Sequence, residues 1–184
     1  MFIALTETHL NNSINDAEIQ LSNYSIFHQD RSSRSHGGTA VYVHNDLCTT
    51  VVAKNSNQYY ESIIVKIAEL NLVLGVIYCP PGCPIDKFKE NLDIINDNFQ
   101  DYSNDPKKNW ILALMGDFNF PFVHDWNSPS RFTNSIDNEK VQSVLLSNLV
   151  EDFNLLQTVD FPTRKENLLD SIFISNPKMI LNNE

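Results

Sequence analysis

Asp117 and Asn119 stand two residues apart, directly after Gly116 and at the end of an apolar run, residues 110–115. Because side chains two apart on an extended backbone project to the same side, a carboxylate and a carboxamide lie together at the end of this predicted strand. A carboxylate binds hard cations and a carboxamide stabilises developing charge, a pairing that suits phosphate ester chemistry. The same pattern fits an ordinary Asp/Asn turn bonded to its own main chain, and taken alone it leaves both interpretations open.

Three further polar residues, Glu7, Tyr78 and Asp170, stand at the ends of apolar runs or inside one. Glu7 follows a short apolar strand, where a surface glutamate is the alternative interpretation. Tyr78 stands where two prolines turn the chain out of a sheet, and its alternative is a packed aromatic side chain. Asp170 interrupts a buried strand, and because an unpaired buried acid is costly we expect it to have a partner.

The basic residues Arg31 and Arg34 lie in a stretch rich in serine and glycine, residues 30–38, just before a predicted strand. Stretches of this composition are typical of flexible connections. The two arginines are suited to contact a phosphate backbone, or they belong to a solvated loop. The sequence leaves both interpretations open.

The whole chain has the size and composition of one globular domain. It has 184 residues, 42% of them hydrophobic, and a net charge of −10. No apolar stretch approaches the roughly 20 residues of a membrane span, so we expect neither membrane insertion nor secretion. We expect an intracellular location, and a location in the nucleus is compatible with this. The acidic balance argues against a broad basic face for nucleic acid, but not against a nuclease that concentrates carboxylates around a divalent cation.

Cys79 and Cys83 are separated by Pro-Pro-Gly, and we expect reduced thiols rather than a disulfide or zinc site.

Apolar periodicity predicts a chain that mixes strands and helices. Strands are expected at residues 2–5, 24–28, 39–43, 60–67, 70–78, 110–115, 155–159 and 168–174, and helices at 86–102 and 138–152. We expect Asp86 to cap the first helix, and the second to bury Val141, Leu145 and Leu149. Segment 120–136 is expected to be a long loop that borders a site.

Five short motifs follow one another along the chain. They are Leu5-Thr6-Glu7-Thr8, Gly37-Gly38 before a strand, Ile77-Tyr78-Cys79-Pro80-Pro81, Gly116-Asp117-Phe118-Asn119, and Pro162-Thr163-Arg164 followed by Leu169-Asp170-Ser171-Ile172-Phe173. In this order they resemble the endonuclease/exonuclease/phosphatase family, and in particular the endonuclease domain of retrotransposons that lack long terminal repeats. Because all five occur in the correct order, the likeness is far more specific than any one motif.

The resemblance implies a four-layered α/β sandwich, in which two mixed β-sheets pack face to face with helices outside. It also implies hydrolysis of DNA phosphodiesters that depends on Mg²⁺, or on Mn²⁺ in its place. On this resemblance Glu7 is the metal ligand, Tyr78 contacts the scissile phosphate, and Asp117 orients or deprotonates the attacking water. Asn119 stabilises the pentacovalent transition state, and Asp170 pairs with a catalytic histidine.

The chain departs from the family's pattern in two places. It contains no asparagine on a strand before the Glu7 motif and no Ser-Asp-His motif after the strand that bears Asp170. We therefore expect residues 1–184 to be a single, incomplete domain of this family, lacking its first strand and its C-terminal Ser-Asp-His segment, with impaired activity. A place in a longer polyprotein with a reverse transcriptase is compatible with the resemblance.

Two other functions stay open at this point. One is a phosphomonoesterase or lipid phosphatase of the same fold, and the other is a catalytically dead remnant that acts at most as a binding module. The Leu-Thr-Glu-Thr and Pro-Thr-Arg motifs favour DNA as the substrate. The candidates for binding it are Arg31, Arg34, Thr163 and Arg164.

Overall fold

The computed structural model describes residues 1–31, 36–120 and 137–179 of the chain. Within these ranges the elements are β1 (Phe2–Thr6), β2 (Tyr24–Gln29), β3 (Thr39–His44), β4 (Thr49–Ser56), β5 (Glu61–Ile67), β6 (Leu72–Tyr78), α1 (Ile85–Ser103), β7 (Ile111–Asp117), α2 (Asp137–Asp152), β8 (Leu156–Gln157) and β9 (Asp170–Ile174). Short 3₁₀ turns occur at Asp16–Glu18, Ala68–Leu70 and Pro177–Met179.

The described strands form two sheets. The larger has the order β4-β5-β6-β7-β9-β8, and the smaller has the order β1-β3-β2. In the larger sheet β6 and β7 are parallel and joined through α1, while the other neighbours are antiparallel, as are all pairs in the smaller sheet. The expected α/β sandwich of two sheets with helices is confirmed.

Strand β6 shows why the central strands of the larger sheet are continuous apolar stretches of sequence. Val73 and Ile77 pack on the side of the helices, whereas Leu74 and Val76 pack between the two sheets. Since successive side chains of a strand point to opposite faces, a strand covered on both faces needs apolar residues at every position. The helices contribute to the first of these cores through Phe88, Leu92, Ile95, Phe99, Leu146 and Leu149.

Both helices are found where periodicity predicts them, but two details of the prediction are wrong. Helix α1 begins at Ile85 with Pro84 in the capping position, so Asp86 lies in its first turn and does not cap it. In α2, Leu149 is buried as expected, but Val141 is 44% exposed. The reason is that Gln142 and the serine after it face the core, which shifts the buried face by one residue. In the described part of the chain, no helix is both long and apolar enough to cross a membrane.

Two strands differ from their sequence patterns. The sequence does not predict β4, because an irregularity between Val51 and Ala53 interrupts the alternation of its side chains. Strand β9 begins at Asp170, so this acid opens the strand and does not interrupt it. The segment predicted as a long loop, residues 120–136, lies outside the described residues except for Phe120.

Candidate active site

Four polar residues form one row across the larger sheet. Glu61 on β5 is the register partner of Tyr78 on β6, Tyr78 is that of Asp117 on β7, and Asp117 is that of Asp170 on β9. Register partners on neighbouring strands point to the same face and lie about 5 Å apart, so these side chains form a continuous polar line. A side chain at position 116 would overlap the carbonyl oxygen of Ile77, which explains the glycine before Asp117.

Glu7 joins this row from the smaller sheet. Its carboxylate oxygen Oε1 accepts a 2.6 Å hydrogen bond from the hydroxyl of Tyr78. Glu7 directly follows β1 and has a φ of +52°, and the chain beyond it bonds to the Gly37-Gly38 segment. Burial and the Glu7 carboxylate raise the pKa of Tyr78 well above its ordinary value, so its hydroxyl stays protonated and donates. The two sheets therefore meet at a hydrogen bond between two predicted site residues.

Arg31 is held inside the protein by Glu61. Its Nε donates to Oε1 and its Nη2 donates to Oε2 at 2.9 Å, and the backbone N–H of Gly38 donates to the same Oε2 at 3.1 Å. The side chains of Arg31 and Glu61 are 5% and 0% exposed, so the interpretation of Arg31 as part of a solvated loop is wrong. The guanidinium carbon also lies 5.5 Å from the centre of the Tyr78 ring. A phosphate contact by Arg31 stays a prediction, and Arg34 lies outside the described residues.

Glycine at position 37 is required by this ion pair. A Cβ atom there would lie 2.8 Å from the Nε and Cζ atoms of Arg31 and 2.9 Å from Oε2 of Glu61. The Gly37-Gly38 motif is visible in the sequence, whereas Glu61 was not predicted as part of the site. The available signal was an acid at the start of an apolar strand, as Glu7 is an acid that follows one.

Among the described acids, Asp117 has the pKa that its surroundings alter most. It is 9% exposed, and its Oδ1 accepts a 2.9 Å hydrogen bond from the backbone N–H of Asn119. Burial first, then the charges of Asp170 and Glu7, raise the pKa of Asp117 to about 6, against the lowering effect of Asn119. A carboxylate with a pKa near 6 is suited to accept a proton at neutral pH. The turn interpretation of this motif is also correct in part, since the bond to its own main chain is present.

Asn119 is fixed by the strand beside it. It has a φ of +52°, a conformation that asparagine tolerates better than most residues. Its Nδ2 donates to the carbonyl oxygen of Cys79 at 3.0 Å, and the N–H of Cys79 donates to the carbonyl oxygen of Asp117 at 3.0 Å. The ends of β6 and β7 therefore hold the carboxamide beside the Asp117 carboxylate.

Thr163 positions the backbone of Asp170. Its hydroxyl oxygen accepts hydrogen bonds of 3.1 Å from the N–H groups of Leu169 and of Asp170. Arg164, the next residue, is exposed and pairs through its main chain with Asn167. Their roles in substrate binding stay predictions.

The expectation that Asp170 has a partner is not met by any described side chain, since none donates a hydrogen bond to its carboxylate or forms an ion pair with it. The reason is its place at the start of β9, where it is only half-buried and keeps contact with solvent. Its nearest charged neighbour in the row is the carboxyl group of Asp117, whose pKa it raises.

The donor set suits a hard divalent cation. Among the described residues, no three His, Cys, Asp or Glu side chains are close enough to form a complete protein cage for a metal. Mg²⁺ does not require one, because it binds through one or two carboxylates and keeps several waters. Glu7 is exposed, and only its Oε1 is hydrogen-bonded to Tyr78, so its second carboxylate oxygen has no hydrogen bond to a described residue and is available to a cation.

A comparison with protein-family models identifies one family. The sequence model described as the endonuclease/exonuclease/phosphatase family matches residues 2–164. No curated protein is significantly similar in sequence. Asp170 lies just beyond the matched residues.

Several solved structures are similar at low sequence identity. The endonuclease domain of TRAS1, a telomere-specific non-LTR retrotransposon, has a TM-score of 0.55 and 17% identity, covering 83% of this chain and 65% of that domain. The 3′-5′ exonuclease NExo from Neisseria meningitidis has a TM-score of 0.60 and 16% identity, covering 97% and 77%. An AP endonuclease from Archaeoglobus fulgidus has a TM-score of 0.51 and 17% identity, covering 96% and 76%. These likenesses establish the shared fold.

Proposed function

The chain belongs to the endonuclease/exonuclease/phosphatase family, and on that premise we propose that it hydrolyses phosphodiester bonds of DNA at the row of Tyr78, Asp117 and Asp170. The observation that carries the proposal is that Glu7 and Asn119 lie beside this row. The site therefore combines a carboxylate that can bind a cation, a carboxylate with a raised pKa that can act as a base, and neutral hydrogen-bond donors. Of these, the pKa of Asp117 near 6 is the most specific sign of a catalytic acid or base.

Each side chain has a distinct task in the proposed reaction. Glu7 holds a Mg²⁺ or Mn²⁺ ion, which when bound supplies positive charge next to the phosphate. Asp117 accepts a proton from the attacking water, and Asp170 keeps the pKa of Asp117 high enough for that task. Asn119 donates the amide hydrogen that Cys79 does not accept to a phosphate oxygen, and Tyr78 donates its single hydroxyl hydrogen to the phosphate once a cation takes its place at the Glu7 carboxylate.

DNA is the proposed substrate because the similar solved structures include a retrotransposon endonuclease, an exonuclease and an AP endonuclease. A phosphatase is the second candidate, since one similar structure is described as the 3′ phosphatase NExo bound to product DNA. The row of acids suits both reactions, because each begins with attack of water on a phosphate. The two reactions differ in the leaving group and require separate assays.

The test compares three substrates with purified residues 1–184 and Mg²⁺ or Mn²⁺. They are a supercoiled plasmid, an oligonucleotide with a 3′ phosphate, and a phosphoinositide. We expect plasmid nicking that requires the metal and falls about 10²-fold or more in Asp117→Asn. Asp93→Asn is the matched control, because Asp93 is exposed on α1 and, among the described residues, its side chain pairs only with Lys89.

Three results would count against this function. Release of phosphate without nicking would favour the phosphatase. Equal nicking by Asp117→Asn and the parent chain would indicate a contaminating nuclease. Activity on none of the substrates, combined with DNA binding, would favour the binding module.

The metal site is tested separately by calorimetry with Mn²⁺ alone. Glu7→Gln keeps the shape of the side chain but removes its charge, and we expect Mn²⁺ affinity to fall. The control is Glu18→Gln, since Glu18 is an exposed acid in a 3₁₀ turn. Equal affinity in Glu7→Gln and the parent chain would remove Glu7 from the metal site.

We also propose that nicking is slow, because no described histidine contacts Asp170. Histidine is the usual group that handles protons at such a site and contributes about 10²–10⁴-fold. Free imidazole should then raise the nicking rate, compared with Tris at the same pH and ionic strength. A fast reaction that imidazole leaves unchanged would show that the site needs no such group.

A further inference from the structure

His9 and His36 are in contact with each other through their rings. The ring centroids are 4.8 Å apart, and the two ring planes are inclined at 67°. Both residues are exposed. His9 follows Glu7 by two residues, and His36 directly precedes the Gly37-Gly38 motif. The pair therefore adjoins the proposed metal ligand in the chain without belonging to the row of acids.

The main chain holds the two histidines side by side. The N–H of His9 donates to the carbonyl oxygen of Gly37 at 2.8 Å, and the N–H of Thr8 donates to that of Gly38 at 3.4 Å. These bonds extend the contact between the two antiparallel chain segments past the ends of β1 and β3. His9 has a φ of +55°, a conformation that histidine tolerates better than most residues. Only the side-chain torsions of the pair are left free to turn.

The ring nitrogens of this pair make no hydrogen bond to a described residue. The other two histidines in that part of the chain differ from them. Both ring nitrogens of His28 contact carboxylates, and Nδ1 of His44 accepts a hydrogen bond from a backbone N–H. The neutral imidazole nitrogen is the commonest metal ligand in proteins. His9 and His36 therefore offer ligand atoms that no described contact occupies.

The spacing of the two rings fits a shared metal ion. Zn²⁺ binds imidazole nitrogen at about 2.0–2.1 Å with tetrahedral geometry, so the centroids of two rings on one ion lie about 5 Å apart. The observed 4.8 Å agrees with this spacing. Imidazole suits zinc, copper and nickel, whereas carboxylates suit magnesium, so the pair and Glu7 select different ions. No third His, Cys, Asp or Glu in the described ranges completes a metal-binding group, which leaves open positions on the ion for water or another oxygen ligand.

We propose that His9 and His36 form a two-histidine site for a divalent transition metal ion such as Zn²⁺, separate from the carboxylate site at Glu7. The ion joins the segment that follows β1 to the segment that precedes β3, and so it stabilises this end of the smaller sheet. The site does not depend on the proposed function, because metal binding can be measured without DNA.

The experiment is calorimetry with Zn²⁺ in the presence of saturating Mg²⁺, which occupies the carboxylate site. It uses residues 1–184 with Cys48→Ser, because Cys48 is an exposed thiol that would itself bind Zn²⁺. We expect the affinity for Zn²⁺ to fall about 10-fold or more in His9→Asn and in His36→Asn, since even the loss of an outer-shell partner costs about 10–100-fold. Asparagine is chosen because it tolerates the positive φ at position 9.

Two control variants should keep the Zn²⁺ affinity of the parent chain. His44→Asn removes a histidine outside the pair, and Glu7→Gln tests whether the ion lies at the carboxylate instead. Nitrogen-15 NMR of the imidazole rings identifies the ligands directly, because Zn²⁺ should shift the ring signals of His9 and His36 together. Urea unfolding without metal checks that each variant folds.

Three results would overturn the two-histidine site. The first is an unchanged Zn²⁺ affinity in either His9→Asn or His36→Asn. The second is a loss of affinity in Glu7→Gln that the two histidine variants do not show. The third is ring signals of His9 and His36 that stay in place at saturating Zn²⁺.

Discussion

The Tyr78 hydroxyl donates a 2.6 Å hydrogen bond to the Glu7 carboxylate, and this bond joins the larger sheet to the smaller one. The two residues are 71 positions apart in the chain, and each ends or follows the strand that carries it. Their contact therefore depends on the packing of the two sheets. It also places a carboxylate that can hold a cation next to a neutral donor.

Tyr78→Phe should lower the free energy of unfolding by about 0.5–1.5 kcal/mol, because one hydrogen bond is lost while the ring keeps its packing. Urea unfolding followed by tryptophan fluorescence measures the loss. Tyr24→Phe is the matched control, since the Tyr24 hydroxyl makes no hydrogen bond to a described residue. If both variants lost the same stability, the bond to Glu7 would contribute nothing to the packing of the sheets.

Tyr78, Asp117 and Asp170 could be predicted because each stands at one end of an apolar strand, a pattern that is visible locally. Glu61 also stands at one end of an apolar strand, but its bond to Arg31 could not be predicted, because the partners are 30 residues apart and meet only through the packing of the sheets. The buried face of α2 was missed for another reason. Gln142 is polar, and it is buried because Cys83 offers a carbonyl acceptor that no helical pattern reveals.

Breaking the buried pair of Arg31 and Glu61 should strongly destabilise the protein. Glu61→Gln or Arg31→Met leaves one charge buried without its partner, and we expect each to cost about 3–5 kcal/mol. The double variant Arg31→Met/Glu61→Gln should cost less than the sum of the two, since no uncompensated charge remains. Chemical denaturation of all four proteins gives the coupling energy. A coupling energy near zero would contradict a structural pair and return Arg31 to the surface of the protein.

Asp117→Asn should stabilise the protein at neutral pH, whereas a cavity in the core should destabilise it. The folded state raises the pKa of Asp117 from 3.8 to about 6, so it binds the proton more tightly than the unfolded state does. The ionised carboxyl therefore costs stability as the pH rises from about 4 to about 6, and the cost is constant above that. Allowing for partial exposure to solvent, we expect a gain of about 1–2 kcal/mol for Asp117→Asn at pH 7.5 and little at pH 4.

Leu112→Ala is the comparison for that variant, because Leu112 is 3% exposed on the same strand. It should cost about 2–5 kcal/mol at both pH values, since the lost packing does not titrate. Urea unfolding at pH 4 and pH 7.5 distinguishes the two effects. A large loss of stability in Asp117→Asn would show that the acid is needed by its turn, through the bond from the N–H of Asn119.

The nicking rate should rise with pH through the pKa of Asp117, because only the ionised carboxyl accepts a proton from water. On a logarithmic scale we expect the rate to increase up to a midpoint and to be constant above it. The pKa of Asp117 is about 6 without a metal, and bound Mg²⁺ should move the midpoint to lower pH because it offsets the charge of Glu7. The Asp170→Asn variant lacks the second-largest cause of the raised pKa of Asp117, so the midpoint of its rate profile should lie at lower pH. The constant rate that this variant reaches at high pH reports any separate role of Asp170. The control is Asp93→Asn on α1, which should keep the midpoint of the parent chain. The profile is measured at saturating Mg²⁺ and constant ionic strength, and a carbon-13 titration of the Asp117 carboxyl at the same Mg²⁺ concentration gives its pKa without catalysis. If the rate does not follow the titration of this carboxyl, Asp117 is not the base.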